Sequence, residues 1–296
     1  MLDRVAAAPI SWGICEAPGW GLQMSPERVL GEMRDLGITA TELGALGWLP
    51  TEPIELRAVL GDYGLALVGG FVPLVMHLPE ARAALLRDAR TAAATLAAGG
   101  GTRFVTAAVS SHAAWERPVL SAAQWAALFE GLDLVDEVCA EFGLMQVLHP
   151  HVDTLIETAA EMDRFLSNSS VRFCLDTGHL FIGGADPVVL AGKHHDRVGL
   201  VHLKDVSGAV AQRLYAEELT LMTATAAGLF PAAGSGDVPI AATIAALEEA
   251  WYGGWYVLEQ DVALTDGEPP LGEGPVLAVR KSVEYLRSLA AGSAVQ

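Results

Sequence analysis

Four segments of the chain carry imidazole and carboxylate side chains in a recurring arrangement: His149-Pro150-His151, Asp176-Thr177-Gly178-His179, His202-Leu203-Lys204-Asp205 and Glu259-Gln260-Asp261. Each closes a short apolar run that reads as a β-strand. Strand side chains alternate with period two, so His149 shares a face with His151, His202 with Lys204, and Glu259 with Asp261. With His149, Asp176, His202 and Glu259 turned inward, two imidazoles and two carboxylates meet at one place. Mixed N/O ligation with open positions suits one divalent ion, Mn²⁺ or Co²⁺ before Zn²⁺ or Fe²⁺. Taken singly, a histidine at a strand end is a satisfied polar residue and Asp176-Thr177-Gly178 a turn. Recurrence at four successive strand ends is what favours a site.

Other residues join as candidates. Glu42, at the end of an earlier run, could take a proton or bind a hydroxyl, or be a surface carboxylate. Trp12 could wall a ring, or belong to the core. Lys204 stands two residues from a candidate ligand and could hold an enolate oxygen, or pair with Asp205 or Glu42.

The elements that would position these groups alternate along the chain. Strands are expected at Ala8–Trp12, Thr39–Glu42, Ala66–Phe71, Arg103–Ala107, Met145–His149, Arg172–Asp176, Gly199–Lys204 and Trp255–Glu259. Such near-continuous apolar runs suit strands covered on both faces. Between them lie helix signals. Ser25-Pro26-Glu27 reads as N-cap, N1 and N2 ahead of Val29, Leu30, Met33 and Leu36, with Gly37 beyond the end. Ser121 and Gln124 form a capping-box pattern. Asp237 with Pro239 opens a late helix to about Trp251, and others are expected at Pro53–Tyr63, Pro79–Ala98, Thr154–Leu166, Pro187–His194 and Pro275–Leu289. Eight βα units favour a single-domain (β/α)₈ TIM barrel over residues 1–296, rather than an open α/β sheet. The segment at about 207–236 is long for one βα connection. It holds a helix candidate at Ala211–Ala226 and would fall over the barrel mouth as a lid.

Composition narrows the partners. The chain has 296 residues, 52% of them hydrophobic, enough for a large core. Eighteen Lys and Arg face 36 Asp and Glu, a formal charge of −18, which argues against nucleic acid and against an anionic membrane surface. Cys15, Cys139 and Cys174 are isolated, so neither a disulfide framework nor a structural zinc site is expected. No basic segment with an apolar run opens the sequence, and the expected compartment is the cytoplasm. Apolar Leu219, Leu221, Met222, Leu229 and Phe230 in the long segment allow a homo-oligomer.

Seven segments together resemble the sugar phosphate isomerase/epimerase superfamily of xylose isomerase-like barrels, and within it the inosose dehydratases. They are Ala8-Pro9-Ile10-Ser11-Trp12, Thr41-Glu42-Leu43-Gly44, His149-Pro150-His151, Asp176-Thr177-Gly178-His179, His202-Leu203-Lys204-Asp205-Val206, Gly234-Ser235-Gly236-Asp237, and Gly254-Trp255 with Glu259-Gln260-Asp261. They run in family order over about residues 8–261. The resemblance implies metal ligands at His149, Asp176, His202 and Glu259. It implies a substrate contact at His179 and an acid near Glu157; Asp205 and Trp12 are further substrate-binding candidates. The loop Gly13–Trp20, the segment His149–Thr154 and the Ser207-Gly208-Ala209 stretch depart from the family pattern.

Two reactions fit this reading. A lyase would remove the proton α to the carbonyl of an inosose, a small polyol ketone, and expel the β-hydroxyl, with acid and base drawn from Glu42, Glu157, His151 and His179 and with Lys204 steadying the enediolate. A sugar isomerase or epimerase would reprotonate the same enolate. Among the strand-end motifs only Lys204 is basic, which favours a neutral substrate over a phosphorylated one. Abasic-site nuclease activity is disfavoured by the charge, and a purely sugar-binding role by the metal set.

Overall fold

The computed structural model describes every residue except 16, 18, 114, 115 and 294–296. Two residues of the Gly13–Trp20 loop therefore lie outside the described set. Nine strands form one sheet: β1 (Val5–Ala7), β2 (Ala40–Thr41), β3 (Ala66–Leu67), β4 (Gly69–Leu74), β5 (Arg103–Ala108), β6 (Met145–Leu148), β7 (Arg172–Asp176), β8 (Val198–Leu203) and β9 (Tyr256–Leu258). Their order is β3-β2-β1-β9-β8-β7-β6-β5-β4, and every pairing is parallel. Only Val68 separates β3 from β4. Its N–H donates to Thr41 on one side, and its carbonyl accepts from Thr102 and Arg103 on the other. The two short strands are thus one stave, and the chain is a single-domain (β/α)₈ barrel.

The barrel fills from the inside because the side-chain period is two. Ala6, Ala40, Val68, Val105, Val147, Cys174, Leu200 and Val257 pack together with Ala8 in a fully buried cluster of their own. One inward residue comes from each stave. The alternate residues, such as Phe104, Leu148, Phe173, Val201 and Leu258, pack outward against the helices. Two positions beyond the inner layer along the staves come Glu42, His149, Asp176, His202 and Glu259. This buried apolar layer, in which Cys174 brings its Sγ close to His149 and His202, is therefore the floor on which the polar groups stand.

Local chemistry explains where the elements begin. Ser25 Oγ accepts from Arg28 N ahead of the helix Pro26–Asp35. Ser121 and Gln124 form the expected capping box ahead of Ala122–Glu141. Three expectations shift. The first strand ends at Ala7, and Pro9–Trp12 is a 3₁₀ turn, since proline has no N–H to give a ladder. The helix expected from Thr154 starts at Ala159, after a turn in which Asp153 takes φ 66° and Thr158 caps with Glu161. Asp237 caps no helix of its own. Its carboxylate accepts from Gly208 N, and Ile240–Glu249 begins behind Pro239. Among the described residues no helix is long and apolar enough to cross a membrane.

The long segment after β8 is two helices, Gly208–Tyr215 and Leu221–Ala226, rather than one. Glu217 at φ 56° breaks them. Its two ends are gathered on a single buried carboxylate. Asp205 Oδ1 accepts from Val206 N at 2.9 Å and Val238 N at 3.1 Å, and Oδ2 from Gly234 N at 2.8 Å and Gly236 N at 2.9 Å. A Cβ at Gly236 would lie 2.4 Å from Asp205 Oδ1, so glycine is needed for this approach. The Asp205→Ala variant leaves buried donors unpaired, at about 1–3 kcal/mol each. It is expected to lower the melting temperature and to speed hydrogen exchange across residues 206–238 before the barrel strands exchange. Unchanged exchange there would remove the clasp.

Candidate metal centre and active-site cavity

His149, Asp176, His202 and Glu259 each bring one ligand atom to a common place, all within 4.8 Å of one another, and all four are buried. His149 Nε2 lies 3.1 Å from His202 Nδ1 and 3.4 Å from Asp176 Oδ2, and Glu259 Oε2 lies 2.5 Å from His202 Nδ1. The Asp176 carboxylate divides its work. Oδ1 caps the helix Thr177–Ile182, accepting from Gly178 N at 2.8 Å and His179 N at 2.7 Å. Oδ2 is buried with no hydrogen-bond partner among the described residues. A carboxylate oxygen so placed, facing two imidazole nitrogens and a second carboxylate, is the donor set that a divalent ion satisfies. The residues fit one ion.

A second rank of residues holds the first. His202 Nε2 meets Glu42 Oε1 at 3.1 Å, so the carboxylate sets the ring and leaves Nδ1 for the ligand set. Lys204 is fully buried. Its ammonium sits 2.7 Å from Glu259 Oε1, 2.8 Å from Asp261 Oδ1, 2.8 Å from His179 Nε2 and 3.8 Å from Asp176 Oδ2. Burial alone would raise the Asp176 and Glu259 carboxyls, but Lys204 and the histidines hold both well below the usual range. Burial would lower His202, yet Cys174, Glu259, Glu42 and Asp176 hold it well above its ordinary value. Burial raises Asp261 to about 6 against the pull of Lys204.

The site opens into a cavity of about 520 Å³. Glu42, His149, His202, Glu259 and Asp261 face it, with His151, Asp153 and His112. Its walls are apolar: Ile10, Ile14 and Trp20 from the segment after β1, Phe71 from β4, and Leu221 and Met222 from the segment after β8. No Lys or Arg is among these lining residues. His151 Nδ1 lies 2.6 Å from the Val152 carbonyl, which fixes that nitrogen as donor and leaves the lone pair on Nε2. Burial, then His149 and Lys204, push the His151 imidazole down to about 3, so it is neutral.

The sequence-derived candidates divide. The four ligand candidates come together, and Glu42 and His151 stand with them at the cavity. Trp12 does not line it: the indole is buried, with Nε1 donating to Glu32 Oε2 at 2.8 Å, because the 3₁₀ turn rotates it into the core. Asp205 is consumed by the four backbone N–H groups of its clasp. His179 and Lys204 lie behind the carboxylates, outside the lining residues. Glu157 accepts from Asp153 N at 2.8 Å and pairs with Arg117 at 3.2 Å, so it braces a turn away from the cavity. Asp261, Asp153, Ile10 and Trp20 take places that the sequence reading did not assign. Period two from Glu259 points to Asp261, whereas Asp153 and Trp20 arrive from loops that carry no periodic signal.

The sequence profile of the xylose isomerase-like TIM barrel family matches residues 30–289. The chain belongs to this family. An inosose dehydratase of Geobacillus kaustophilus is 32% identical to it over 97% of this chain and 94% of that protein. The xylose isomerase-like fold recurs in the structure of an L-ribulose 3-epimerase, with TM-score 0.72 and 17% identity over 99% of this chain and 97% of that one. It recurs again in an IOLI protein with a bound zinc atom, with TM-score 0.72 and 12% identity over 98% of both chains. This xylose isomerase-like barrel is an enzyme. Replacing Glu42 with Gln removes the charge that orients His202. It is expected to weaken divalent-ion binding by about 10–100-fold. Chelator competition measures this, with circular dichroism unchanged; undiminished affinity would detach Glu42 from the ligand set.

Proposed function

We propose that the enzyme dehydrates an inosose or a closely similar neutral polyol ketone, using one divalent ion held by His149, Asp176, His202 and Glu259. The observation that carries this reading is the two-histidine, two-carboxylate set opening onto an apolar-walled cavity with no Lys or Arg among its lining residues. A phosphorylated substrate would leave its charge unpaired there. The 32% identity to an inosose dehydratase over nearly the whole chain supports the same class. The IOLI protein, which has the same fold, binds a zinc atom, in keeping with a divalent ion here, and Mn²⁺, Co²⁺ or Fe²⁺ would suit the same donors.

When bound, the ion would act as a Lewis acid that polarises a substrate carbonyl and its neighbouring hydroxyl. The protein does the rest. His151 lines the cavity as a neutral imidazole beside the ligand set, and we assign it as the base for the proton α to the ketone. Asp153 lies in the same wall. Burial raises its carboxyl despite the opposing pull of Arg117, which suits it to return a proton to the departing hydroxyl as water. Glu42 keeps His202 oriented through the cycle. Lys204 steadies the developing negative charge through Glu259 and Asp261 rather than by touching substrate. The segment 207–236 places Thr220, Leu221 and Met222 over the cavity and would shield an enediolate from bulk water.

The alternative, isomerisation or epimerisation of a ketose, shares the first proton transfer and the fold of the epimerase. An epimerase needs proton-transfer groups on both faces of the substrate, and the engagement of Glu157 by Arg117 leaves one of its candidates outside the cavity. Incubation of metal-loaded protein with scyllo-inosose is expected to yield a product lighter by one water. Conversion of ketoses without loss of mass would favour the epimerase reading instead. The Asp176→Ala variant is expected to lose activity and metal while keeping its circular dichroism, since barrel stability resides in the core layers. His151→Gln is expected to lower kcat by about 10²–10⁴-fold with KM little changed. A full kcat in His151→Gln would move the base elsewhere.

A further inference from the structure

We infer that the Lys204 ammonium is a built-in cation standing where a second divalent ion would otherwise bind, so that the protein is a one-metal enzyme by virtue of this lysine. The inference rests on the reading of His149, Asp176, His202 and Glu259 as the first metal site. A second set of potential ligands adjoins that site: His179, Glu259 and Asp261, buried, with ligand atoms within 4.8 Å of one another. The ammonium occupies its centre, 2.8 Å from His179 Nε2, 2.7 Å from Glu259 Oε1 and 2.8 Å from Asp261 Oδ1. The Phe230 ring closes a further side, its centroid 4.9 Å from Nζ. Glu259 is shared, with Oε2 toward His202 and Oε1 toward Lys204. A carboxylate bridging two cationic positions is the arrangement of a two-ion centre, with one ion replaced by a side chain.

The surroundings are built to admit the lysine. A Cβ on Gly178 would lie 2.7 Å from Lys204 Cγ and 2.9 Å from its Cβ, so the Asp-Thr-Gly-His turn is glycine where the stem passes. Thr177 Oγ1 accepts from Lys204 N at 3.0 Å and donates to Lys204 O at 2.8 Å, fixing the backbone there. Charge points the same way. Glu42, Asp176, Glu259 and Asp261 are four buried carboxylates, and Lys204 is the one buried Lys or Arg near them among the described residues. Without it, the three ligand atoms face a space lacking any cation, and buried anions demand one.

The test is metal content. The full-length wild type and Lys204→Ala would be equilibrated with the same free Mn²⁺ and counted by elemental analysis and native mass spectrometry. The variant is expected to carry one more ion per chain than the wild type. Its electron paramagnetic resonance spectrum is expected to show coupling between two neighbouring Mn²⁺ ions. Adding Asp261→Asn to the variant should remove the extra ion. Equal counts in a variant with native circular dichroism overturn the inference, as does a wild type already holding two coupled ions. Lys204→Ser leaves the same space with a polar side chain, and it decides the matter should the alanine variant fail to fold. A wild type that binds no ion refutes the first-site reading by itself, while the difference between the two proteins still reports on Lys204.

Discussion

Negative charge held out of water at the barrel mouth is the constraint on which the rest of this structure depends. Asp176, Glu259, Asp261 and Glu42 are all at most 8% exposed. Carboxylates in such surroundings ionise only against nearby positive charge and directed donors. Lys204 supplies a permanent charge, the helix after β7 supplies two N–H groups to Asp176 Oδ1, and the histidines supply the remaining contacts. The proposed ion would complete the balance. A centre of this kind is costly to form and cannot drift, because each group is the partner of at least one other.

The barrel supplies the rigidity that such a cluster needs. Each stave contributes one small or branched residue to the inner layer, and the next inward position along five of the staves carries a functional group. Strand geometry thereby converts regular spacing in the sequence into convergence in space. The floor is apolar and buried, so the polar layer rests on side chains that offer it no hydrogen-bonding alternative of comparable strength. Above it, loops provide the apolar walls. Asp205, one residue past Lys204, gathers the ends of the covering segment, tying the cover to the strand that carries two of the central residues.

Division of labour among the acidic groups follows from what each one faces. Glu42 faces an imidazole and orients it. Glu157 faces Arg117 and holds a turn. Asp205 faces backbone N–H groups and closes a loop. Asp153, at positive φ, faces the cavity, where burial raises its carboxyl against the charge of Arg117. Four carboxylates of similar intrinsic acidity thus reach four different uses through their neighbours alone.

The sequence by itself determined the barrel, its βα rhythm and the convergence of His149, Asp176, His202 and Glu259. Those depend on periodicity and on the C-terminal ends of strands, and both are local properties. Charge and composition likewise spoke against nucleic acid without reference to shape. Only the tertiary structure decided the roles of the remaining residues. Trp12 turns into the core because Pro9 ends the strand early, and its indole finds Glu32. Lys204 lies on the predicted face yet is screened from the cavity by Asp261 and Glu259, two residues from another stave. His179 and Glu157 are drawn away by Lys204 and Arg117, partners 25 and 40 residues distant in the chain. Pairings of that range carry no periodic signal, and they are fixed only when the closed barrel sets which charges share a dry space.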